Sequence, residues 1–184
     1  MNLSDREFWG LVHGMGLGAL YLLAFGGALA GLWSLRTRLV TPQGVTERVP
    51  RLKMGLAIMA VAAWLTVISG TWIVYPWYRA GSSTTCEGVP IEQIPAECGA
   101  KYTLLADEKT ADWHEFGMEW KEHVAWIVPF LATAVAFSVI YLGKDLANRD
   151  TLRRGLMWFL FASFALAGIA GLMGALITKN APVL

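Results

Sequence analysis

Four long stretches of this chain are almost free of charge, and the short segments between them hold nearly all of it. The apolar stretches run from about Gly10 to Leu35, Met54 to Tyr78, Val124 to Gly143 and Gly155 to Thr178; His13 is the only strongly ionisable residue inside them. A helix needs about 20 apolar residues to cross a bilayer core, and each stretch is long enough. The third helix is expected to begin before its apolar run. Asp112 is placed to act as an N-cap, and Glu115 completes a capping-box pattern. From there Trp113, Phe116, Trp120, Val124 and Ile127 follow helical spacing.

The pattern predicts an all-α integral membrane protein with four transmembrane helices, over about 10–35, 54–78, 120–143 and 155–178 of a single 1–184 domain. The helices form two hairpins that close into a four-helix bundle, and an outer loop of about 79–119 joins the hairpins. Composition agrees: 55% of residues are hydrophobic and 16% charged, with mean hydropathy +0.47. An ordinary soluble domain has about 25% charged residues.

Charge matters next because of where it sits. The connection over about 36–53 carries Arg36, Arg38, Arg48, Arg51 and Lys53 against Glu47 alone. The connection over about 144–154 carries Lys144, Arg149, Arg153 and Arg154 against Asp145 and Asp150. The segment over about 79–122 has four basic residues and nine of the fourteen acids. Positive charge on short loops marks the cytoplasmic side, so the long loop and both termini are expected outside, on the periplasmic side of a bacterial inner membrane. The first apolar stretch is too long for a cleaved signal peptide and lacks a basic leading segment. The only cysteines, Cys86 and Cys98, fall in the outward loop. An oxidising compartment favours a disulfide between them, and a redox-active pair would more often read CxxC. No basic stripe or phosphate-binding loop points to nucleic acid.

Candidate chemistry gathers at the outer ends of the helices. The segments FWGLVHG (8–14) and EWKEHVA (119–125) each open the first helix of a hairpin, with a tryptophan followed by a deeper histidine. An ionisable residue within a span is a functional hypothesis by default, which singles out His13 and His123. Glu119, one turn before His123, is placed to orient its ring. His114 lies half a turn out of register with His123 and reads as a surface or loop contact.

Glycines gather at the same depth: Gly10, Gly14, Gly16 and Gly18 around His13, Gly70 on the second helix, and Gly168, Gly171 and Gly174 on the fourth. They either pack helices closely or leave room for a flat ligand. Gly27 and Gly31 read as packing alone. Haem b fits such a slot, with His13 and His123 as axial ligands to the iron, Gly10 and Gly14 at the porphyrin edge, and Arg79 or Lys179 on the propionates. Tyr75, Trp77 and Tyr78 form the rim. The bland alternative leaves both histidines as interfacial polar residues satisfied by water, headgroups or Glu119. Zinc would want more ligands, and a copper site with Met15 or Met118 has no spacing signature.

The arrangement of four spans with histidines on the first and third resembles the small four-helix b-type cytochrome subunits that anchor respiratory or photosynthetic electron-transfer complexes. The resemblance is one of architecture. It implies a single, outward-facing haem, because the chain has no second histidine pair near the cytoplasmic side. Two functional classes follow. One is an electron-transfer subunit that holds a haem b or a quinol (quinone) site near the outer face of a larger redox complex; in the quinol form, His123 and Glu119 accept the protons. The other is a non-catalytic structural or assembly subunit, in which glycines and the tryptophan-rich outer rim serve partner packing.

Overall fold

A computed structural model describes residues 3–37 and 39–181. Among them four helices are long and apolar enough to cross a membrane: α1, Asp5–Ser34; α2, Pro42–Tyr78; α3, Glu108–Asn148; and α4, Asp150–Asn180. Arg38, counted above in the first basic connection, lies outside the described residues.

Three of the four helix starts have a local cap. At α1 the Ser4 hydroxyl accepts from the Glu7 amide, and the Glu7 carboxylate accepts from the Ser4 amide at 2.8 Å, a reciprocal capping box. At α2 the Thr41 hydroxyl caps the Gly44 amide at 3.2 Å and Pro42 opens the first turn. The basic connection is therefore mostly helix. At α3 the cap is Asp107, whose carboxylate accepts from the Lys109 amide at 2.9 Å. Asp112 lies inside the helix and makes no capping bond, so the capping box expected at Asp112 and Glu115 does not form. Asp107 already holds the extended backbone a cap requires, and the chain enters the helix five residues earlier.

Pro129 cannot donate to the carbonyl one turn before it. The helix yields at Ala125–Trp126, where the Val128 amide reaches the Ala125 carbonyl at 3.3 Å. At the far end of α3, Arg153 is fully buried and donates to the Leu146 and Ala147 carbonyls while pairing with Asp150. A guanidinium at a helix C-terminus meets the negative end of its dipole.

The helices form a closed ring in which α1 neighbours α2 and α4, and α3 neighbours α2 and α4. The described chain begins, at Leu3, and ends, at Ala181, on the same end of the bundle as the long loop, with the two short basic connections at the other. The main apolar core fills the half of the bundle nearer the basic connections, from Leu32, Leu56, Val139 and Leu156 up to Tyr21, Ala63, Val128 and Leu160. At its upper edge the buried Tyr21 and Ser163 hydroxyls share a hydrogen bond, and Ser163 donates to the Val128 carbonyl at 3.0 Å. This ties α1, α4 and α3 together where no water is available. A second, small core of Tyr78, Leu104, Ile177 and Ala181 closes the opposite end.

The outer loop carries the Cys86–Cys98 disulfide, which packs with Tyr102. Gly81 makes room for it: φ is +93°, and a Cβ there would lie 2.5 Å from Cys86 Sγ. The disulfide is consistent with an oxidising outer side.

Candidate functional site

Between the two apolar cores lies a layer that is neither packed like the lower half nor regular in its backbone. Three helices turn π-helical here, over Val12–Gly18 in α1, Gly70–Val74 in α2 and Trp113–Met118 in α3. Short π-helical insertions are rare and occur often at functional sites. Each of these carries a histidine or the residue against which a histidine rests.

His13 projects from the first of them onto α2. Its Nδ1–H donates to the Thr66 carbonyl at 2.8 Å and lies 3.2 Å from the Ser69 hydroxyl. A carbonyl only accepts, so Nδ1 holds the proton and Nε2 of the neutral ring is a bare acceptor. The ring lies over Gly70, where a Cβ would sit 2.6 Å from Cε1. Thr66 and Ser69 bond to their own helix as expected, Thr66 to the Ala62 carbonyl at 2.8 Å and Ser69 to the Thr66 carbonyl at 3.1 Å; Ser69 also serves the imidazole.

The residue that sequence reasoning missed is Lys121. It was counted with the outer-loop charges, yet it is partly buried on α3 and turned towards α4. Its ammonium reaches across to α4, where a Cβ on Gly174 would lie 2.8 Å from Nζ. It is also the charge that bears most on His13. The ion pairs among the described residues are Arg79–Glu119, Arg153–Asp150 and Arg154–Asp150, so Lys121 has none among them. Drawing an ammonium even part of the way into an apolar bundle without an ion-pair partner has a cost. The one available signal was that a span beginning at residue 120 contains Lys121.

Next to it, Glu122 has a buried Oε1 without a hydrogen-bond partner among the described residues. Arg79 lies over the Tyr75 ring and 3.9 Å from the Glu119 carboxylate. These groups lead from the buried layer to the outer surface. His114 differs from its expected surface role: it is buried, 2.9 Å from the Tyr78 hydroxyl.

His123 is exposed, and its Nδ1–H donates to the Glu119 carbonyl at 2.7 Å. Glu119 thus orients that ring through its backbone, while its carboxylate turns to Arg79. His13 and His123 stand on diagonally opposed helices, one turned to α2 and the other facing outward. The two imidazoles do not share a slot in the single chain. The glycines divide similarly. Gly70 and Gly174 make room for His13 and Lys121, whereas a Cβ on Gly10, Gly14, Gly168 or Gly171 would meet nothing within 4 Å. Gly31 packs against Leu52 as expected, but Gly27 faces open space. Among the described residues no group of three or more His, Cys, Asp or Glu is placed to hold a metal ion.

In comparisons with known proteins, no family model, no curated protein and no solved structure matches the chain.

Proposed function

We propose that this chain is the quinol-binding subunit of a redox complex in a bacterial inner membrane, with its site at the outer ends of the four helices. The observation that carries the reading is His13, fixed as the tautomer with Nε2 bare, at the same end of the bundle as the Lys121 ammonium, which has no ion-pair partner among the described residues. A quinol hydroxyl donates to such a nitrogen, and a quinone carbonyl accepts from such an ammonium. Oxidising a quinol releases two protons and two electrons. His13 takes one proton at Nε2 and the Glu122 carboxylate the other, and Glu119 and Arg79 mark their way to the outer surface. The electrons pass to a carrier in another subunit of the complex.

A haem b would need both imidazoles in one slot. His13 and His123 each keep Nε2 bare, as an iron ligand must, but their directions favour the quinol form of the proposal. Glu119 supports it from the rim, not as the base.

The test is a titration of the purified chain in lipid nanodiscs with a short-chain quinol, read by tryptophan fluorescence, alongside a reduced-minus-oxidised spectrum. Wild type should bind; Lys121→Met should weaken binding about tenfold or more, the value of one charge-assisted hydrogen bond, and His13→Leu by about three- to tenfold, the value of a neutral one. Binding unchanged in both variants, or absent in wild type, refutes the quinol site and leaves the structural-subunit reading. A b-type absorption band lost in both His13→Ala and His123→Ala would replace it with the haem.

A further inference from the structure

At the opposite end of the bundle, on the side of the basic connections, α1 and α2 leave a groove of about 360 Å³ between them. Its wall on α1 runs from Ala24 through Gly27 and Gly31 to Ser34, and its wall on α2 includes Gly55. The ten helical steps from Ala24 to Ser34, at about 1.5 Å each, give a length of roughly 15 Å. That is half of a bilayer core about 30 Å thick, the depth of one leaflet. Gly27 and Gly55 keep the groove open, since a Cβ on either would meet nothing within 4 Å.

The mouth carries Arg48 and Arg51, one turn apart on α2. Neither takes part in an ion pair among the described residues. The nearest acid in sequence, Glu47, accepts from Gln43 at 3.3 Å instead. Two guanidinium groups without a protein counter-ion thus stand at headgroup level over an apolar slot one leaflet deep. Guanidinium matches phosphate oxygens in bidentate geometry, and basic pockets between spans on the cytoplasmic side take anionic headgroups.

We infer that this groove is a binding site for an anionic phospholipid of the inner leaflet, with an acyl chain along Gly27 and Gly55 and the phosphodiester on Arg48 and Arg51. The inference is independent of the quinol site, which lies at the other end of the bundle.

Native mass spectrometry of the full chain in mild detergent tests it, with phosphatidylglycerol, with phosphatidylcholine of the same acyl chains, and with glycerol phosphate. Wild type should retain one phosphatidylglycerol in preference to phosphatidylcholine, and glycerol phosphate alone should not displace it. The double variant Arg48→Gln/Arg51→Gln should weaken retention roughly thirtyfold, the combined worth of two basic residues near an anionic surface. Gly27→Leu/Gly55→Leu should abolish it while leaving helical content and thermal stability intact, because the added side chains enter empty space. Equal retention of phosphatidylcholine, retention unchanged in either double variant, or displacement by glycerol phosphate alone overturns the proposal. So does a second copy of the chain taking the groove, seen as a dimer that Gly27→Leu/Gly55→Leu dissolves.

Discussion

Gly70→Ala is the smallest change that separates the His13 arrangement from the rest of the fold. The new methyl carbon would sit 2.6 Å from His13 Cε1 and 3.2 Å from both ring nitrogens. Non-bonded carbons settle at about 3.5–4.0 Å, so the ring must retreat by about 1 Å. A retreat of that size carries the 2.8 Å bond to the Thr66 carbonyl past the 3.5 Å beyond which such a contact is no longer a hydrogen bond, roughly speaking. The Thr66 carbonyl is not orphaned, since the Gly70 amide and the Ser69 hydroxyl still donate to it. The penalty falls on the imidazole alone. It belongs near the bottom of the range of about 1–3 kcal/mol for an unsatisfied buried group. Stability is therefore the weaker readout and the tautomer the stronger one. In a ¹⁵N-histidine NMR spectrum, wild-type His13 should show a protonated Nδ1 and a bare Nε2. In Gly70→Ala the proton should move to Nε2, the tautomer that neutral imidazole prefers in water, and quinol affinity should fall with it. An unchanged Nδ1–H signature in the variant would show that Gly70 does not hold the ring against Thr66, and the tautomer argument would fail.

Two further outcomes follow from the same kind of reasoning. Ser163→Ala should destabilise the bundle more than Tyr21→Phe. Loss of Ser163 strands the buried Tyr21 hydroxyl, at about 1–3 kcal/mol, while loss of the Tyr21 hydroxyl leaves Ser163 bonded to the Val128 carbonyl and removes one interhelical bond, worth about 0.6 kcal/mol in membranes. Unfolding in mixed micelles ranks the two variants; equal losses would refute the asymmetry. Opening the disulfide with Cys86→Ser releases a loop closed across a separation of 12 residues, worth about 3 kcal/mol of chain entropy. Limited proteolysis should then cut within residues 82–98 while the four spans stay protected; a loop as resistant as wild type would contradict it.

The four spans were legible because they depend on run length and charge alone, and neither needs a contact to be known. The disulfide was legible for a similar reason: two cysteines in one outward loop leave little choice of partner. The start of α3 was not, because Asp107 and Asp112 offer the same side chain and differ only in which backbone is already extended when the helix begins. The histidines of α3 were legible only in part. His114 and His123 point opposite ways, as their separation implied, but the inward one is His114, against Tyr78, and the outward one is His123. Separation along a helix sets relative direction and does not say which of two faces meets the bundle.

Lys121 escaped notice because the third apolar run begins only at Val124, and the glycines pointed to the right depth for the wrong reason. Sequence placed eight glycines near the histidines and read the missing side chains as room for an outside ligand. Two of them, Gly70 and Gly174, instead admit side chains from facing helices, and those side chains are His13 and Lys121. Glycine on one helix is thus spent on a polar group of another, and the backbone of three helices departs from α geometry at that level. Close packing alone gives no reason to bring an unpaired ammonium into this layer. Had the layer served only helix association, an apolar residue at 121 would pack against Gly174 at lower cost. The lower half of the bundle is built that way, with Leu52 against Gly31. The contrast between the two glycine contacts, one filled by leucine and the other by lysine, supports the proposed site over a merely packed interface. It makes Lys121 and His13 the pair on which the functional reading depends.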